Sequence, residues 1–215
     1  LEVQLAHDGM ALVDADGAML DAGANLALAG DELIQFGRAA RIGPGRWRLT
    51  RLLRGRRGTE SAAGAQAVGD RFVMIEPDAL VPIDLPIAAL GTEIRLLASG
   101  VGDLTGPAEA ALTLAGGSVA PPAPVDLRWV PQPDGGAVLH WTRRSRAGWG
   151  WADGGDVALV EGDERYRVIL PAREEITAEP LIAITAAERA VGGAISVRQI
   201  GALAESRAAT TTIPE

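Results

Sequence analysis

Short alternations of apolar and polar residues, separated by glycine, proline and acidic turns, recur along this chain, and helical periodicity is scarce. That pattern predicts an all-β protein. DELIQFGRAARIGPGRWRLTRLL reads as two strands joined through Gly43, Pro44 and Gly45. In the second arm Trp47, Leu49, Arg51 and Leu53 share one face, with Arg46, Arg48 and Thr50 on the other. TESAAGAQAVG follows with one short helical turn, and then DRFVMIEP, TEIRLLAS and EAALTLAG as strands. GGSVAPPAP, from Gly116 to Pro124, breaks the pattern: glycine frees the backbone, while proline stiffens it and removes ladder donors. The expected organisation is a small β domain over 1–117, a Pro/Gly linker over 118–124 and a β-sandwich over 125–215. In that last part VDLRWV, AVLHWTR, RYRVILP, LIAITAAE, AISVRQIG and SRAATTTI read as strands. Leu139 and Trp141 face one way, Val138 and His140 the other. Tyr166, Val168 and Leu170 alternate with Arg165, Arg167 and Ile169. So many short strands in so few residues suit a two-sheet sandwich of immunoglobulin-like type.

Composition narrows the chemistry. At 215 residues with 47% hydrophobic content the chain has enough apolar mass for packed cores. It has no cysteine, which removes disulfides, thiolate zinc sites and cysteine nucleophiles together. Two histidines, His7 and His140, leave little for a metal centre or a catalytic triad. No enzymatic activity, cofactor or metal is expected. A net charge of -8 disfavours general binding to nucleic acid or anionic membrane. No apolar run reaches the roughly 18 residues of a membrane span, and the opening LEVQLAHDG lacks the basic region of a signal peptide.

The second half resembles a fibronectin type III domain in its Pro-rich entry, a Trp on the second strand (Trp141) and a Tyr opening the third (Tyr166). The sixth strand carries Ile195 and Val197 where an aromatic is usual, and the loop from Arg143 to Glu164 is long. GDELIQFGRA, LLRGRRGTE, WTRRSR, ERYRV and VRQIGALAESR occur here in one order. Together they resemble the C-terminal region of the tail-hub, host-specificity-type proteins of phage tails and gene transfer agents. In that family the region follows larger modules, often a barrel similar to glycoside hydrolases; nothing here looks like that barrel, so its activity is not carried over. The resemblance implies a structural protein of the tail tip or baseplate hub. It would be made in the bacterial cytoplasm, sit in the tail of the virion or particle, contact other hub subunits as a homotrimer, and face the host.

Three stretches carry candidate chemistry. LLRGRRGTE (Leu52–Glu60) lacks the spacing and lysine of a phosphate loop, and no interleaved aromatic follows to stack on bases. Eight arginines against Asp31, Glu32 and Glu60 give residues 31–60 a charge of +5, so the remainder carries -13 to reach -8. That asymmetry points to carboxylate partners in this chain or a neighbouring subunit, with Arg54, Arg56 and Arg57 as the candidate subunit contact and no nucleic acid. In RRSRAGWGWADGGD, Trp149 and Trp151 sit among glycines and acids. With Asp153 they are a candidate contact for host envelope glycans, the alternative being that the indoles fold back to cap the sandwich. The acids of DGGDVALVEGDERY read as a solvated face. DADGAMLDAG lacks the full set of calcium ligands and reads as a turn at Asp16-Gly17 between two strands.

Overall fold

The computed structural model describes residues 1–102, 104, 106–147 and 157–214. Strands dominate, all paired antiparallel, so the fold class is all-β. The chain divides into two compact units, residues 1–81 with 146–157 and residues 82–145 with 158–215.

The first unit is built on one five-stranded sheet. Its strands are β1 (Glu2–Gln4), β2 (Leu26–Ala29), β3 (Glu32–Gly43), β4 (Arg46–Leu53) and β5 (Phe72–Met74), in the order β1-β4-β3-β2-β5. Two tight turns fix the register. Gly30 at φ 59 starts the link that sets Ala29 opposite Glu32. Gly45 at φ 61 closes β3 onto β4, where an added Cβ would lie 2.5 Å from the Gln4 amide nitrogen. One face buries Val3, Ala27, Ala29, Ile34, Phe36 and Leu49, with Leu5 and Leu12 packed on it. On the opposite face lies a short helix, α1 (Gly17–Asp21), whose Leu20 is buried. The buried Gln35 amide donates to Leu20 O and Ala24 O at 2.8 and 2.7 Å, tying that helix to β3.

Two expectations change here. Asp16 does not turn between strands: its Oδ1 accepts from Met19 N at 2.9 Å and caps α1. The alternation of β4 also stops at Arg51, which takes φ 54. Leu52 therefore packs against the core, and Leu53 stays 38% exposed.

The second unit opens with a two-stranded hairpin, β6 (Glu93–Ala98) and β7 (Ala108–Thr113). Pro121, Pro122 and Pro124 follow and are buried, so the segment expected as a linker at 118–124 is packed within this unit. An added Cβ at Gly201 would lie 2.7 Å from Pro121 Cδ. Two sheets then form the sandwich. One has β8 (Val125–Pro131), β9 (Ala137–Thr142) and β12 (Leu181–Ile184) in the order β12-β9-β8. The other has β10 (Tyr166–Ile169), β11 (Glu174–Thr177), β13 (Ala194–Gln199) and β14 (Ala209–Thr212) in the order β11-β10-β13-β14. Three strands facing four in this order make an immunoglobulin-like sandwich of fibronectin type III kind. Its core is Leu139, Trp141, Tyr166, Val168, Leu170, Ile182, Ile184, Ile195 and Val197. The predicted alternation in β9 and β10 is the one observed.

The strand expected through LIAITAAE ends at Ile184, because Thr185 starts a helix, α2 (Ala186–Val191). Thr185 Oγ1 accepts from Glu188 N at 3.1 Å, and Thr185 N donates to Glu188 Oε2 at 2.8 Å, a reciprocal capping box. Glu188 also accepts from Arg173 Nε at 2.6 Å, so the cap is joined to the far sheet. Thr185→Ala is expected to cost about 1 kcal/mol, read as a lowered denaturant midpoint with unchanged slope.

Candidate functional site

The arginine-rich corner is organised by one buried acid. Period-two geometry places Glu32 on the same face of β3 as Ile34 and Phe36, and its side chain has no solvent exposure. A carboxylate buried this way is tolerated only when its oxygens are satisfied. Arg54 meets it with a two-pronged fork, Nε to Oε1 at 2.8 Å and Nη2 to Oε2 at 2.6 Å. Gly55 N donates to Oε1 at 2.7 Å, and the Gln66 amide donates to Oε2 at 2.6 Å. The Arg54 fork holds the Glu32 carboxyl below its ordinary range; the Gly55 and Gln66 donors add to this and burial opposes it. A cleft of about 150 Å³ opens beside this pair, between Leu1, Leu52 and Gln66.

Beyond Arg54 the chain turns sharply. Gly55 has φ 58, and an added Cβ there would lie 2.7 Å from Glu60 Cα, so only glycine fits. Thr59 then donates through Oγ1 to Arg56 O at 2.8 Å and accepts from Leu33 N at 2.9 Å, fastening the turn to β3. Arg57 sits at φ 54 and ψ 36, a left-handed conformation that costs a non-glycine residue roughly 1–2 kcal/mol. The corner is thus held from both sides in a conformation the free chain avoids.

Of the other arginines of the segment, Arg41 donates to Gly43 O at 3.3 Å, and the rest divide into two groups. Arg38 bonds Asp14 at 2.8 Å, and Arg46 and Arg48 reach Glu2 at 3.1 and 2.9 Å. Asp14 is held low by Ala39 N first and by Arg38 second; Glu2 is held low chiefly by Arg48. Among the described residues, Arg51, Arg56 and Arg57 take no carboxylate. Of the three arginines predicted as a contact, the structure binds Arg54 inside its own fold and leaves Arg56 half-buried and Arg57 exposed. The signal for Glu32 was present in the sequence, as an acid in phase with Ile34 and Phe36.

Trp149, Trp151 and Asp153 lie outside the described residues. The ends of that loop are described. Tyr166, fully buried, meets Trp141 edge to face with ring centroids 5.1 Å apart. Its hydroxyl donates to Glu164 Oε1 at 2.6 Å, and burial, then Glu164, pushes it above the usual tyrosine range. Glu164 also faces Arg143, 3.3 Å away and nearly buried. Ser145 Oγ donates to Ala158 O at 2.6 Å. Through Glu164 and Arg143 the base of the loop is tied to Tyr166 in the sandwich core.

Residues 1–73 match a protein family described as Rcc01698-like, C-terminal. The matched span runs from β1 into β5 and contains Glu32, Arg54, Arg56 and Arg57. No curated protein matches the chain. Among solved structures, the rat CD45 extracellular region, domains d3-d4, is similar at 6% identity and a TM-score of 0.31. That likeness covers 70% of this chain and 91% of the CD45 chain.

Proposed function

We propose that this chain is a structural component of a phage-like tail tip or baseplate hub, of the gene transfer agent kind, serving assembly and host contact. The observation that carries this reading is the arginine corner. Glu32 consumes Arg54 and locks the turn, whereas Arg56 and Arg57 reach the surface without a carboxylate on a strained backbone. Strained backbone of this kind clusters at functional sites, which supports a contact role for the corner. The ordered sequence motifs and the family match over residues 1–73 support it, as does a chain made of two β units. On this reading the chain acts beside other hub subunits, as a homotrimer in the particle, and has no enzymatic role.

Immunogold labelling of particles from a producing strain tests this. Label is expected at one end of the tail, and the protein is expected to sediment with intact particles. Protein found only free of particles would defeat the proposal.

A further inference from the structure

Within the second unit the hairpin of β6 and β7 belongs to neither core. Among the described residues neither strand pairs with a third, and no residue of either is buried. Their register sorts the side chains by character. Ile94, Leu96, Ala98, Ala108, Ala110 and Leu112 share one face, and Glu93, Arg95 and Glu109 lie on the other. Leu96 and Leu112 are 46% and 65% exposed. Two strands alone are marginal in water; three or more with an apolar face are needed to stand independently.

One edge of the hairpin is open to a further strand. Leu114 N donates to Thr92 O at 3.0 Å, which sets the phase of the antiparallel ladder. Thr92, Ile94, Leu96 and Ala98 therefore turn their backbone groups toward β7, while Glu93, Arg95 and Leu97 turn N–H and C=O outward. β6 contains no proline, and its register runs unbroken from Glu93 to Ala98, so nothing in its backbone blocks pairing.

We infer that β6 pairs antiparallel with β6 of a second copy of the chain, about a two-fold axis at Ile94. Charge selects both the occupant and the register. With Ile94 facing Ile94 of the other copy, Glu93 of each lies directly opposite Arg95 of the other, and this pair forms twice. The same register brings the outward backbone groups of Glu93 and Arg95 into hydrogen-bonding phase. Slipping by two residues sets Arg95 against Arg95 in one direction and Glu93 against Glu93 in the other, both like-charge pairs. Slipping by one breaks the phase and turns one apolar face to the opposite side of the sheet. A strand that complements its own reverse in this way is matched by another copy at fixed stoichiometry. The product is a four-stranded sheet with one continuous apolar face. It stops there, because Pro107 withholds a donor beside β7 and Glu109 is the only charge on that strand. The contact goes beyond the tail reading and does not rest on it; in a three-fold particle it would join one ring of copies to another.

The absence of cysteine makes a single introduced thiol a clean reporter of the register. Ile94→Cys is expected to give a disulfide-linked dimer under mild oxidation, whereas Leu96→Cys, set opposite Thr92, should give far less. Sedimentation equilibrium of the full chain should show a dimer. Glu93→Arg or Arg95→Glu alone places like charges at both symmetric positions and should weaken it roughly tenfold. Mixing these two variants should restore the dimer, because every facing pair is again opposite in sign. A chain that stays monomeric, a dimer indifferent to both reversals, a mixture that fails to recover, or equal cross-linking through the two thiols would each overturn the inference.

Discussion

Trp141→Ala is expected to destabilise the sandwich by about 3–5 kcal/mol, the range for deleting a large buried aromatic. Trp141 is 3% exposed at the centre of a core shared by both sheets, edge to face with Tyr166. Truncation removes that contact and leaves a cavity that Leu139 and Val168, themselves buried and close-packed, are poorly placed to fill. Trp129 provides the comparison. It is only partly buried against the same core, and its indole donates to Thr212 O at 3.1 Å across the sheets. Trp129→Ala should cost clearly less. The measurement is denaturant unfolding followed by circular dichroism, in the transition assigned to the sandwich. Equal losses for the two substitutions, or less than about 1 kcal/mol for Trp141→Ala, would remove Trp141 from the centre of the core.

Glu32→Ala should cost the first unit about 2–4 kcal/mol. It strands Gly55 N without its acceptor and takes one of two acceptors from the Gln66 amide, which keeps Ala62 O, although Arg54, with 43% of its side chain exposed, can turn to water. Glu32→Gln keeps the shape, loses the charge and sets an amide donor against donors, so an intermediate loss is expected. The pH dependence follows from the same geometry. Arg54 holds Glu32 below its ordinary 4.5, so the folded unit takes up this proton less readily than the unfolded chain. The contribution is fully present above the unfolded value and is lost as pH falls through the lower folded value. Glu2 and Asp14 in this unit are held low as well, so Glu32→Gln should reduce the acid loss of stability without abolishing it. Unfolding free energies from neutral pH down to about pH 3 would show this. An acid limb as steep in the variant as in the parent would mean that Glu32 is not the group being protonated.

Much of this architecture was legible because strand alternation is a direct imprint of one-sided burial. Leu139 with Trp141, and Tyr166 with Val168 and Leu170, face inward as their spacing requires. β11 was missed because EEIT is polar and contributes no buried residue. α2 was absorbed into a strand although Thr185 and Glu188 spell a capping box; a helix this short carries no periodicity to compete with the apolar run before it. The shift at Arg51 had no visible sign, since a positive φ at a non-glycine residue is imposed by the surrounding sheet. At the arginine corner the excess of positive charge was plain from composition. Which arginine is consumed was not, because that depends on Glu32 lying inside, which a sum of charges does not reveal.

The outer strands of the sandwich carry a further consequence. β8 is irregular between Val125 and Arg128, with Asp126 at φ 54, and it ends on Pro131. β11 presents Glu174 and Glu175, while Pro180 precedes β12 and Pro214 follows β14. Each of these devices spoils an open edge as a template for another strand. A sandwich so guarded can be crowded against its own copies without growing sheets from one molecule into the next. Ordered assembly and fibrous aggregation then use different parts of the surface, and selection can strengthen the first without inviting the second.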